Sequence, residues 1–154
     1  MRVFRDETRF GYILAILCFG AGMILGGCAA TINYSYDPLA DFSKIKSYSW
    51  EPGLLGTRQD PLIEKNVRYY TEQALKNKGF TLTSDKPDFV ISMNYALEYD
   101  SLYKVRSLNL YIYRTQGKEL IWQGTAAGTI DADAASPDLA DAVNKILGNF
   151  PPKK

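Results

Sequence analysis

Histidine is absent from the chain, and cysteine occurs only at Cys18 and Cys28. Without an imidazole there is no Ser-His or Cys-His nucleophile and no histidine-bearing zinc site. Two thiols are too few for a disulfide scaffold. An excess of one charge is also lacking: 18 basic side chains stand against 17 acidic ones. No net field is available to hold a nucleic-acid backbone. Neither a Gly-x-x-x-x-Gly-Lys-Ser/Thr nor a Gly-x-Gly-x-x-Gly run occurs, so nucleotide binding has no support. No nucleic-acid partner, cofactor or metal is expected.

What is present begins with an address. Arg2, Arg5 and Arg9 outnumber Asp6 and Glu7, the positive head of a secretion signal. The apolar run from Tyr12 to Leu25 has the length of a signal-peptide core, short of the ~20 residues that a bilayer-crossing helix needs. It closes on Leu25-Gly26-Gly27-Cys28, which looks like a bacterial lipobox. The expectation is cleavage between Gly27 and Cys28 after the Cys28 thiol has taken a diacylglyceryl group. The freed amine is then acylated, as with palmitate. An uncleaved inner-membrane anchor is the alternative, since no charge appears between Phe10 and Tyr36. Against it stand Gly11, Gly20, Gly22, Gly26 and Gly27, which weaken a helix, and the polar Asn33 and Ser35 soon after.

The domain organisation that follows is a signal peptide over 1–27, a lipidated tether over 28–31 and one domain over 32–152. Cleavage leaves equal numbers of basic and acidic side chains and no free thiol, because Cys18 leaves and Cys28 carries lipid. Two or three acyl chains hold a protein on a membrane where one lets go. Ala29 follows the cysteine where aspartate would retain a lipoprotein in the inner membrane. By that resemblance to enterobacterial sorting, the expected location is the periplasmic face of the outer membrane. A tether of three residues reaches roughly 10 Å, so the domain should sit against the membrane.

Periodicity predicts an α+β fold: an antiparallel sheet of about five or six strands packed against two helices. Ile32, Tyr34 and Tyr36 alternate with polar residues until Asp37-Pro38, and Ser47 to Trp50 is a second short strand. Glu51 to Asp60 reads as a mobile loop. Asp60-Pro61 opens a helix with Ile63, Val67, Tyr70 and Ala74 on one face, and Gly79 stops it. Phe89 to Tyr99, Arg106 to Arg114 and Leu120 to Ile130 form a meander, with a hairpin turn at Thr115-Gln116-Gly117-Lys118. Ser136-Pro137 opens the last helix, whose stripe is Leu139, Val143, Ile146 and Leu147. Gly148 and Pro151-Pro152 close it.

Catalytic readings find little. Ser43-Lys44 and Ser84-Asp85-Lys86 lack the helical spacing of a Ser-x-x-Lys site and read as solvated loops. Asp131-Ala132-Asp133 is a fragment of a calcium loop without its remaining ligands, and turn residues explain it better. Aromatics are the one excess. Tyr111 and Tyr113 alternate against Leu110 and Ile112, so they project from the second sheet face. Such a face stacks on sugar or grips a protein, or else is covered by loops.

Three stretches together resemble one family. They are Tyr36-Asp37-Pro38 through Asp41-Phe42-Ser43-Lys44 to Tyr48-Ser49-Trp50, then Gly117-Lys118-Glu119-Leu120-Ile121-Trp122-Gln123-Gly124, then Ala142-Val143-Asn144-Lys145-Ile146-Leu147 to Phe150-Pro151-Pro152. The set resembles the envelope lipoproteins of Gram-negative bacteria that carry domain of unknown function 4136, over residues 32–152. Two departures stand out: Ile45 replaces a usual aromatic, and the segment between Glu98 and Lys104 lacks a long glycine- and tyrosine-rich insert. The resemblance implies a fold and a location and supplies no catalytic residue. The expected function is therefore a non-enzymatic, lipid-anchored outer-membrane protein. Its expected partners are the membrane, through the N-terminal lipid, and another envelope component, protein or glycan, in assembly or maintenance. The alternatives are a carboxylate-dependent hydrolase of glycan or lipid and a small-ligand carrier. The first needs two acids about 5–9 Å apart in a deep pocket, the second an apolar cavity.

Overall fold

A computed structural model of the chain describes residues 30–51, 60–99 and 103–153. The expected signal peptide, the Gly27–Cys28 cleavage site, the Cys28 lipid site and most of the loop after Glu51 lie outside the described residues. The elements are β1 (Thr31–Tyr36), β2 (Ser47–Trp50), α1 (Pro61–Asn77), β3 (Thr81–Leu82), β4 (Phe89–Leu97), β5 (Lys104–Arg114), β6 (Leu120–Asp131) and α2 (Asp138–Gly148). A 3-10 turn at Phe42–Lys44 precedes β2.

One sheet of six strands in the order β1-β6-β5-β4-β2-β3 carries both helices on one face. The β4-β5-β6 meander and the β1–β6 pair are antiparallel, as alternation predicts. The other edge differs: β2 lies parallel to both β3 and β4, so the sheet is mixed. The crossover α1 accounts for this, because it returns the chain along its own axis before β3 and β4 begin.

The inward face holds Phe89, Ile91, Tyr95, Leu108, Leu110, Ile112, Trp122 and Ala126, all buried. Val105 joins them although it is out of phase with Leu108, because the register shifts between Val105 and Ser107. A bulge re-aims side chains on either side of it. A second shift between Ile112 and Tyr113 accompanies the burial of both neighbours Ile121 and Trp122.

On α1 the buried stripe is Ile63, Val67, Thr71, Ala74 and Leu75, so Thr71 and Leu75 take the place expected for Tyr70, which is half-buried. Asp60 caps the helix, accepting from the N–H groups of Leu62 at 2.8 Å and Ile63 at 3.3 Å. The Tyr95 hydroxyl fixes this end to the sheet. It accepts from the Asp60 N–H at 2.6 Å and donates to the Asp60 carbonyl at 3.0 Å. Leu139, Ala142, Val143, Ile146 and Leu147 of α2 complete the core. Gly79 and Gly117 have φ of 84° and 83°, the backbone their turns require.

The register also defines two ends. Thr31 pairs with Ala127 and Tyr36 with Trp122, so β1 starts beside the close of β6 and runs toward the Thr115–Lys118 turn. Ala30 therefore lies at the end shared with Tyr99 and Tyr103, against Gly128. The β5–β6 turn lies on the order of 30 Å away along the strands.

Candidate functional site

At the end of the sheet opposite Ala30, turns from three parts of the chain meet above an aromatic floor. Phe150 is its centre, with ring centroids 6.1 Å from Phe42, 5.4 Å from Phe80, 5.7 Å from Phe89 and 5.3 Å from Trp122. Tyr48 stacks on Phe89 at 5.7 Å. Pairs at these spacings add attraction beyond the area they bury. Gly124 makes room for the Trp122 indole, whose ring occupies the place a Cβ would take. The three stretches that carry the family resemblance thus meet in packing, through Phe42, Trp122 and Phe150.

Asp88 ties the turns together. Its Oδ2 accepts from the N–H groups of Lys46 and Ser47 and from the Ser47 hydroxyl, each at 2.8 Å. Its N–H donates to the Ser47 carbonyl at 3.0 Å, and its own carbonyl accepts from the Thr115 N–H at 3.1 Å. The Lys46 N–H first, then the two Ser47 donors, hold its carboxyl below the usual 3.8. Asp41 is spoken for as well. Its Oδ1 accepts from the Ser43 hydroxyl at 2.6 Å and the Ser43 N–H at 3.1 Å, and Lys44 Nζ lies 3.2 Å from Oδ2. The Ser43 donors and Lys44 lower its carboxyl to about 2.

Two open clefts flank this assembly and share Arg114 and Thr115. One, about 440 Å³, is lined by Asp41, Lys44, Ile45, Lys86, Asp88 and Gln116 besides the shared pair. The other, about 350 Å³, adds Glu51, Val90, Tyr113 and Lys118. Arg114 occupies the inward register position after Ile112, at the rim of the core, opposite Phe89. Its Nε is buried with no hydrogen-bond partner among the described residues. Lys86 and Lys118 both have left-handed backbones, with φ of 45° and 52°. Burial first, with Glu51 and Tyr111 adding to it, raises the Tyr113 phenol above its usual 10.0, so it remains a donor.

The structure brings Lys44 and Lys86, from the two stretches weighed as Ser-Lys pairs, to one cleft. It does not pair the Ser43 hydroxyl with the Lys44 ammonium, because both serve the Asp41 carboxylate. Carboxylates held so low are poor bases and are not general acids near neutral pH. Asp131 and Asp133 are turn residues, accepting from the N–H groups of Asp133 and Ala135 at 2.9 and 2.8 Å. Among the described residues no cluster of three or more Asp, Glu or Cys side chains could hold a metal, and no helix is long and apolar enough to cross a membrane.

Tyr111 and Tyr113 do project from the face away from the helices, and both are half-buried. Tyr111 lies in register with the polar Ser92 and Gln123, whereas Tyr113 lies between Val90 and Leu120; farther along the same face the side chains are polar. The Thr125 hydroxyl donates to Asn109 Oδ1 at 2.8 Å, and the Asn109 amide reaches the Asn94 carbonyl at 3.4 Å. Arg114, Lys118 and Asp88 escaped the sequence reading. For Arg114 there was a signal: a charge at the position where the Leu108, Leu110, Ile112 alternation calls for an apolar residue.

No curated protein matches this chain. A PDZ domain protein from Parabacteroides distasonis shares its fold with a TM-score of 0.60 and 14% identity over 82% of this chain. The chain spans only 36% of that protein's length. PelC from Paraburkholderia phytofirmans, a dodecamer, aligns with a TM-score of 0.55 and 14% identity, covering 77% of this chain and 95% of that one. At such identities the likeness is one of fold. In sequence, the model of a domain of unknown function, DUF4136, matches residues 32–152, the whole of the sheet and both helices except for Thr31. The chain belongs to the DUF4136 family.

Proposed function

We propose that this protein is a lipid-anchored component of the bacterial envelope, held through Cys28, that binds another envelope component and performs no chemistry of its own. The observation that carries the reading is the polarity of the molecule. The chain enters the sheet at Thr31, three residues after Cys28, and the clefts lie at the opposite end. A protein tethered there presents the clefts away from the lipid surface. Two further points support it: Asp41 and Asp88 are engaged as anions, and the clefts are open and charged, unlike an enclosed apolar carrier cavity. Ala29 favours the outer membrane by the sorting resemblance.

The test is the intact mass of the protein extracted from bacterial membranes. The expected mass is that of residues 28–154 plus a diacylglyceryl and an acyl group, and Cys28→Ser should abolish processing. A photo-crosslinker at Gln116 should then capture an envelope component that one at Tyr99 does not. A mass near the full chain would overturn the lipid anchor.

A further inference from the structure

We propose that the two clefts around Arg114 form one site for an anionic group, a carboxylate or phosphate carried on a larger envelope molecule. The inference rests on the proposed function only for the source of the ligand.

Consider which charges are free. Asp88 is committed to the Lys46 and Ser47 donors, and Asp41 to Ser43 and Lys44. Among the described residues none of Arg114, Lys86 and Lys118 is ion-paired, although Glu51 lines the second cleft. The linings of the two clefts carry Lys44, Lys86, Arg114 and Lys118 against Asp41, Asp88 and Glu51, one positive charge in excess, and of these only Lys44 and Asp41 are in ion-pair contact. Arg114 is anchored between the clefts with its buried Nε lacking an acceptor, and a guanidinium so placed has forked donors suited to a planar or tetrahedral oxyanion. Gln116 and the Tyr113 phenol add neutral donors.

The backbone supplies a second, independent argument. Lys86 and Lys118 sit on different turns, and each has positive φ, where glycine or asparagine is favoured and lysine is strained. Neither turn draws stability from the lysine side chain through any ion pair or hydrogen bond among the described residues. Strain kept at two turns, one beside each cleft, is the pattern of residues held for binding rather than for folding. The fold would be better served by other residues there, and the ammonium groups are what those residues would remove.

The experiment uses the purified full chain in detergent. It follows the Arg114 side-chain Nε–Hε resonance during titration with inorganic phosphate and, separately, with galacturonate, against chloride at equal ionic strength. A saturable shift with either anion beyond the chloride control is expected. Arg114→Gln should weaken binding about tenfold or more, read by calorimetry. Lys86→Asn and Lys118→Gly should each weaken it roughly two- to fivefold while raising the Tm. That opposition keeps the test valid if Arg114→Gln fails to fold. Response to phosphate alone assigns a phosphate-bearing ligand, to galacturonate alone a carboxylate-bearing one. If neither anion exceeds chloride, or the lysine variants bind unchanged, the site is refuted. Anion binding by a chain whose Cys28 proves unlipidated would sink the anchor and leave this site standing.

Discussion

At Gly124 one added carbon would overlap the Trp122 indole and lie 2.6 Å from Ile146 Cγ2. Neither neighbour can yield, since Trp122 and Ile146 are buried in the core. Gly124→Ala should therefore cost about 1–3 kcal/mol by overpacking, seen as a lower urea midpoint with unchanged slope. Asp88 is the other residue whose identity the fold demands. Its folded carboxyl titrates below 3.8, so its stabilisation is fully present above that value and is lost as pH falls through the depressed one. Denaturant melts of the native chain and Asp88→Asn, stepped from neutral pH down past 3.8, should show a gap that closes on the acid side. A gap constant with pH would show that the amide replaces the carboxylate in full.

Among the elements, α1 depends on one side chain from the sheet. Tyr95→Phe removes both hydrogen bonds to the Asp60 peptide and leaves its N–H without that acceptor. The expected loss is about 1–3 kcal/mol, with amide exchange accelerating first over Leu62 to Glu64. The elements themselves were largely readable. Alternation marks β4 and β5, and Asp60-Pro61 and Gly79 bracket α1 because capping and turn chemistry are local. What was not readable is what depends on distant partners. Two-residue β3 has no period, and the parallel insertion of β2 follows from where α1 returns the chain. Val105 reaches the core only through a bulge, which shifts phase without a residue-type signature. The candidate site was least legible for the same reason: its residues come from turns at 41–46, 83–88 and 114–118, brought together by Asp88.

For the whole molecule, the opposition between the Ala30 end and the Arg114 end governs how it carries force. Suppose the chain is held just before Thr31 and a load is drawn from the clefts. The pull then runs along β1, parallel to the strands. All the rungs that join Thr31–Tyr36 to β6 resist together, and none is presented to be peeled singly. Moving the second handle from Gln116 to Asp133, at the same end as Ala30, should convert shear into unzipping from the Thr31–Ala127 pair. Single-molecule pulling should record a markedly higher rupture force for the first geometry than for the second. The edge strand would then serve as a mechanical clasp, strong along the strand axis and weak across it.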